Sequence, residues 1–226
     1  MSNYRPLSLL SVPSKILESC VADMIAKHVF SENEALVTDN QWAYRKGRST
    51  ELLLIHLTET WRRAIDNKLV VGAVFIDFQK AFDCVSYSIL LHKLKHNFGI
   101  MAWLRDYLSD REQYTVINGV PSENTKVARG IPQGSVLGPI LFGLYTSDLP
   151  KTVNTATTFL YADDATMYCV GESVDQVTLR WIKEWVLVTC WVLWLDLVFS
   201  SIFLYFNLRP LCLRPEPLWT LNTSFF

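Results

Sequence analysis

The sequence predicts an α+β domain in which helices pack on a small antiparallel sheet, and three observations carry that prediction. Residues 69–78 form a near-continuous run of β-branched and aromatic side chains, the pattern of a strand covered on both faces. Residues 157–161 and 165–170 read as two strands joined through Asp163 and Asp164, a hairpin with acids at its tip. Helical periodicity recurs on either side of these strands, with no internal repeat or low-complexity linker.

Taken in order, residues 14–30 predict an amphipathic helix, apolar at Ile16, Leu17, Val21, Ile25 and Phe30. A polar, glycine-bearing loop over 41–48 leads to a second helix that Ser49 caps. After the buried strand, residues 87–96 and 101–108 read as helices, and 114–117 and 125–128 as short strand-like pieces. Residues 135–145 are apolar enough for a buried helix, with Pro139 confined to its first turn. From about residue 179 the composition changes to a run of Trp, Val, Leu, Phe and Cys that holds five of the eight tryptophans. The organisation read from this is a domain over 1–178 followed by an atypical hydrophobic tail over 179–226.

With 226 residues, 50% hydrophobic and 19% charged, the chain has ample material for a buried core, which excludes wholesale disorder. Its 21 Lys+Arg against 22 Asp+Glu do not mark a nucleic-acid binder globally. Basic residues do cluster locally: Arg45, Lys46 and Arg48; Arg62 and Arg63; Lys93 and Lys95; Lys126 and Arg129. Five scattered cysteines without a CxxC pair suggest neither a disulfide framework nor a zinc site. They fit a reducing compartment, and with no basic-then-apolar leader the expected location is intracellular, cytoplasmic or nuclear. His92 and His96 lie four apart on a helix, but no third ligand accompanies them, so they read as surface residues.

The chemistry is expected where acids interrupt apolar strands. Asp77 ends the run Val74-Phe75-Ile76, and Asp163 and Asp164 follow Phe159-Leu160-Tyr161-Ala162. Carboxylates in such settings are costly unless paired or bound to a cation, and adjacent ones repel. A few hard oxygen ligands that leave room for water and phosphate suit magnesium. Taken alone, an Asp-Asp pair is more often a polar turn.

The surrounding residues make the pattern specific. Tyr161-Ala162-Asp163-Asp164 resembles the catalytic Tyr-x-Asp-Asp box of reverse transcriptases. Phe75-Ile76-Asp77-Phe78-Gln79-Lys80-Ala81-Phe82-Asp83 resembles their first catalytic motif, and Arg129-Gly130-Ile131-Pro132-Gln133-Gly134-Ser135-Val136-Leu137-Gly138-Pro139 the motif lying between. Tyr4-Arg5-Pro6-Leu7-Ser8 and residues 41–50 resemble the two fingers motifs. All five stand in the family's order, and their wording is similar to the non-LTR, LINE-like retrotransposon branch.

The resemblance implies a right-hand polymerase: a palm of antiparallel sheet with helices on one face, partial helical fingers, and no recognisable thumb. It implies an RNA-directed DNA polymerase that adds dNTPs to a primer 3′-hydroxyl on an RNA template by a two-metal-ion mechanism, using magnesium with manganese as substitute. Asp77, Asp163 and Asp164 would be the catalytic metal ligands. Arg45, Lys46 and Arg48 would bind the dNTP triphosphate, with Phe78, Phe82, Gln133 and Gly134 completing the nucleotide site. Phe82 would stack under the sugar and exclude a 2′-hydroxyl, while Gln133 and Gly134 would border the nascent base pair. Lys93 and Lys95 could meet the nucleic-acid backbone.

Where the family has glycine this chain has Ala43, and after Val177 the resemblance stops, with no match to the family's lysine-bearing motif or helical thumb. Residues 185–206 are apolar apart from Asp196 and a few small polar residues. This stretch reads as a foreign tail, with a membrane span as the alternative. Two rival functions follow: a degenerate, non-catalytic fragment, membrane-associated if 185–206 is a true span, or an RNA-dependent RNA polymerase, which Phe82 opposes.

Overall fold

The computed structural model describes residues 8–32, 39–96 and 102–206. In chain order the helices are α1 (Val12–Ala26), α2 (Thr50–Asp66), α3 (Tyr87–His96), α4 (Ala102–Leu108), α5 (Gly138–Tyr145), α6 (Leu149–Thr152) and α7 (Val174–Trp194). The strands are β1 (Val70–Phe78), β2 (Glu112–Gln113), β3 (Val116–Ile117), β4 (Val120–Pro121), β5 (Thr125–Lys126), β6 (Thr157–Tyr161), β7 (Asp164–Gly171) and β8 (Phe199–Phe206). They divide between two compact units, one of residues 1–36 and 82–145, the other of residues 37–81 and 146–226.

The second unit is built on an antiparallel sheet of order β6-β7-β1-β8. β1 is the run of β-branched and aromatic residues, and its near-complete burial fits a strand covered on both faces. Helix α2 covers one face. Its N-cap Ser49 accepts a hydrogen bond from the Leu52 amide at 3.2 Å. Leu53, Leu57 and Trp61, four residues apart, pack on Val71, Ala73, Phe159 and Tyr168. Each side chain so buried contributes about 1.5–3 kcal/mol. Trp61 meets Phe75 and Tyr168 edge-on, at 6.4 and 5.9 Å between ring centroids.

Helix α7 covers the other face, which corrects the expectation of helices on one face. Alternation along β1 turns Val74, Ile76 and Phe78 away from α2, and Phe78 stands 6.2 Å from Trp191 of α7. The apolar residues Val177, Trp181, Val188, Trp191 and Val192 form the buried stripe of α7. Glu184 lies within that stripe and is 1% exposed. Its carboxylate accepts hydrogen bonds from the Asn154 amide at 3.0 Å and from the Thr155 amide and hydroxyl. The Trp191 indole donates to Asp148 at 3.0 Å.

Helix α7 therefore runs unbroken past residue 178. The apolar stretch 185–206 is not one helix: α7 ends at Trp194, Asp196 takes a left-handed backbone (φ 54°), and β8 pairs with β1. No helix among the described residues is long and apolar enough to cross a membrane.

The first unit packs α3 against α5, through buried Leu90 and Leu94 and through Leu141, Phe142 and Leu144. Pro139 sits in the first turn of α5, as the sequence requires. Lys93 is 1% exposed and its ammonium donates to the Tyr145 carbonyl, which removes it from any nucleic-acid surface. His92 and His96 are exposed. Helix α1 departs from expectation in its orientation. It starts at Val12 and passes at Lys27 into a π-helical turn, and its buried residues are Glu18, Ala22 and Ile25. Ile16 and Leu17, expected in the core, are 62% and 52% exposed. A polar anchor explains the rotation: Glu18 accepts hydrogen bonds from Ser135 and Val136, and burying it turns the Ile16 side outward.

Replacing Glu184 with alanine leaves two backbone amides without their acceptor, and is expected to lower stability by about 3 kcal/mol. Glu184→Gln should recover part of that loss. Chemical denaturation monitored by tryptophan fluorescence checks this; an unchanged midpoint for Glu184→Ala would contradict it.

Candidate active site

Strand register brings the acids together. Asp77, near the end of β1, pairs directly with Asp164, the first residue of β7, and Tyr161 closes the hairpin opposite Asp164. The tip is thus Ala162 and Asp163, one position earlier than the sequence suggested. Ala162 takes a left-handed backbone (φ 56°), the conformation a two-residue hairpin needs at its first loop position. Asp77 and Asp164 share the α2 side of the sheet, beside a groove of about 400 Å³ that they line with Thr50, Leu54, Phe75 and Tyr161. A wider groove of about 560 Å³ lies along Trp42, His56 and Arg63 of the same unit and holds none of the three acids.

The electrostatics follow from this crowding. Burial pushes the Asp164 carboxyl above its ordinary range, and the charges of Asp163 and then Asp77 push it further. Asp77 accepts a hydrogen bond from the Ser200 hydroxyl of β8, at a bulge where β8 pairing shifts between Asp77 and Phe78. Among the described residues, no three Asp, Glu, His or Cys side chains are gathered closely enough to hold a metal ion. The donor set itself suits a hard divalent cation: carboxylates of like charge on neighbouring strands, whose mutual repulsion positive charge would relieve.

The loop bearing Arg45 is stitched to the hairpin by backbone bonds. The Leu160 amide donates to Asn40 and the Trp42 amide donates to Leu160, both at 2.8 Å, so residues 40–42 lie along β6. Tyr44 takes a left-handed backbone (φ 58°), and burial, then the charges of Asp163 and Tyr161, raise its phenol. Arg45 is mostly buried and stands 3.6 Å from Asp39, whereas Lys46 is exposed. Arg48 pairs with Asp39 at 2.8 Å and lies over the Trp42 ring at 5.0 Å. Arg62 and Arg63 are held by Glu59, whose carboxyl their hydrogen bonds, that from Arg62 foremost, lower to about 2. That basic pair is a self-paired helix surface.

Phe78 is a correction. Strand alternation points it away from Asp77, and it is 3% exposed between Trp191 and Phe199. A side chain so enclosed has no face for a nucleotide. Phe82, Gln133 and Gly134 belong to the other unit. Phe82 stacks on Phe142 at 4.5 Å, and its carbonyl accepts from the Ile131 amide at 2.8 Å. Gln133 donates its side-chain amide to Asp83 at 3.0 Å. Gly134 has φ +101°, a conformation that favours glycine. Residues 4–7 of the first fingers motif lie outside the described residues.

Sequence reading gave no role to Tyr44, Asp39 or Ser200. Tyr44 and Asp39 flank the basic motif and were within reach of it. Ser200 lies 123 residues from Asp77 in the chain, and nothing local announces it.

The motifs that supply these acids and this loop match a known family over most of the chain. The pattern of the family described as reverse transcriptase (RNA-dependent DNA polymerase) covers residues 1–189. The chain belongs to the reverse transcriptase family. Among its relatives, a probable RNA-directed DNA polymerase from transposon BS of Drosophila melanogaster is 36% identical over 82% of this chain and 22% of its own length. The RNA-directed DNA polymerase of the mobile element jockey, from the same fly, is 29% identical with the same coverage of each chain. A Pol polyprotein of retrotransposable element R1 from Bradysia coprophila is 29% identical over 73% of this chain and 16% of its own. This reverse transcriptase domain is therefore of the LINE-like, non-LTR kind, and the chain spans about a fifth of the length of these relatives. In fold it is similar to the apo telomerase of Candida tropicalis, with a TM-score of 0.60 and 10% identity over 85% of this chain and 37% of that one.

Two stability experiments probe the hairpin. The raised Asp164 carboxyl keeps its proton in the folded state at pH values where the unfolded chain has lost it, so stability falls as pH rises through that window. Asp164→Asn is therefore expected to raise Tm at about pH 7, with a gain that shrinks towards about pH 3; a gain equal at both would rule out charge as the cause. Ala162→Gly relieves the left-handed strain and is expected to stabilise the fold by about 1 kcal/mol, read as a higher denaturation midpoint.

Proposed function

We propose that this chain is the fingers-and-palm core of an RNA-directed DNA polymerase, joining dNTPs to a primer 3′-hydroxyl on an RNA template. The observation that supports it most is the pairing of Asp77 with Asp164, next to Asp163, on a sheet edged by the Arg45 loop. Asp77, Asp163 and Asp164 are the residues that would hold magnesium ions. Magnesium bound there would supply positive charge against the phosphate oxygens and acidify the attacking hydroxyl. Arg45, with Lys46, supplies cationic charge for the triphosphate. Arg48 orders their loop through Asp39 and Trp42. Phe82 meets the sugar and disfavours a 2′-hydroxyl, and Gln133 and Gly134 border the new base pair. The relatives named as RNA-directed DNA polymerases support the choice of template and product.

One observation favours a second reading, a chain that keeps the fold without the activity. The Ser200 hydroxyl already occupies one oxygen of Asp77, and β8 brings it there. The two readings part in one assay: magnesium-dependent dNTP incorporation by the whole chain on an RNA template with an annealed DNA primer. Incorporation is expected, with Asp163→Ala reducing it at least about 100-fold and rNTPs used poorly. Ser200→Ala is expected to preserve or raise it. No incorporation by folded wild type and Ser200→Ala protein would favour the inactive reading, and equal use of rNTPs would point to RNA synthesis.

A further inference from the structure

We propose that Glu18 and Asp83 are positioning residues, two carboxylates that clamp the segment 133–136 and so set how tightly it borders the substrate; this rests on the polymerase reading above. Every contact involved lies within one unit, residues 1–36 and 82–145.

Glu18 is 1% exposed on α1. One carboxylate oxygen accepts from the Ser135 hydroxyl at 2.9 Å and the Val136 amide at 2.8 Å, and the other from the Tyr107 hydroxyl at 3.0 Å. Because Ser135 gives its proton to Glu18, its oxygen is turned to accept the Leu137 and Gly138 amides, both at 3.1 Å. The start of α5 is thereby fixed through Ser135 by a side chain 117 positions earlier. An apolar residue would join α1 to α5 without the cost of burying a carboxylate. What the carboxylate adds is a fixed place for the three residues that follow Gln133.

Asp83 acts from the other side. It accepts the Gln133 side-chain amide at 3.0 Å. The amide nitrogen thus faces Asp83, which turns the Gln133 side-chain carbonyl oxygen away from that carboxylate. The backbones are in register as well. Ile131 donates to Phe82 and Gly130 to Val85, at 2.8 and 2.9 Å. A Cβ on Gly130 would stand 2.8 Å from the Asp83 carbonyl, so only glycine permits this approach. The carbonyl of Gln133 is held in turn by the Ser8 amide at 2.9 Å. Phe82 and Gln133, the residues assigned to the sugar and the base pair, are therefore tied together through Asp83.

The test uses the full chain and two readouts. Hydrogen exchange reads the clamp without activity: Glu18→Ala, which removes the acceptor, should speed exchange of the amides over 136–138 about tenfold, with α3 amides unchanged. Single-nucleotide insertion reads its use: Asp83→Ala should raise KM for the matched dNTP about tenfold with kcat little changed, and narrow matched-over-mismatched discrimination by a similar factor. Asp83→Asn, which can still accept the Gln133 amide, should behave as wild type. A merely structural role lowers the active fraction, so kcat falls while KM and discrimination stay put. That result, or unchanged exchange in Glu18→Ala, overturns the proposal. Wild-type protein that inserts nothing sinks the polymerase reading instead, and exchange still decides whether the clamp exists.

Discussion

Antiparallel pairing of β1 with β7 is the constraint on which the unit built on the four-stranded sheet depends. The register puts Asp77 opposite Asp164 and simultaneously sets Val71, Ala73 and Phe75 towards α2, with Val74, Ile76 and Phe78 towards α7. Side chains alternate with a period of two, so a slip of one residue would send Asp77 under α7 and Phe78 into the acid-lined groove. The apolar residues on both faces thus hold the acids in place. Burying Phe78 beside Trp191 and holding Asp77 at the groove are one structural event.

The price of this arrangement is local. Two carboxylates stand across a strand pair with a third in the adjoining turn, and Asp164 holds its proton more firmly as a result. The turn adds left-handed backbone at an alanine. Strain and like-charge crowding of this kind are tolerated where the surrounding structure fixes them, and here α2, α7 and two flanking strands do so. The other unit treats its buried charges as this unit treats Glu184, by hydrogen-bonding them. Glu18 and Lys93 are both nearly fully buried and meet hydrogen-bond partners there, so neither is left as an unsatisfied group.

Several elements were legible in the sequence because their signals are local. The β1 run, the Ser49 cap, Pro139 in the first turn of α5 and the acid-bearing hairpin all depend on neighbours within a few residues. Phe78 was misassigned to the nucleotide site, although alternation alone places it on the face opposite Asp77. The buried side of α1 was not legible, because periodicity assumes that polar residues face water, and Glu18 does the reverse. Lys93 misled for the same reason: its partner is a carbonyl 52 residues away. The apolar character of residues 185–206 could not distinguish a continuous span from the end of one helix and a strand. That distinction comes from pairing of β8 with β1.

By itself the sequence determined the family and the strands around Asp77, Asp163 and Asp164, because motif wording and short-range periodicity are properties of the chain alone. Tertiary structure decided which acid faces which, that Arg48 braces its loop against Asp39 and Trp42, that Ser200 reaches Asp77, and that Glu18 and Asp83 grip residues 133–136. Those contacts join positions from 6 to 123 residues apart. Most depend on a strand register or a helix rotation that only the packed molecule fixes, since hydrogen bonds of this kind form only once burial has brought their partners together.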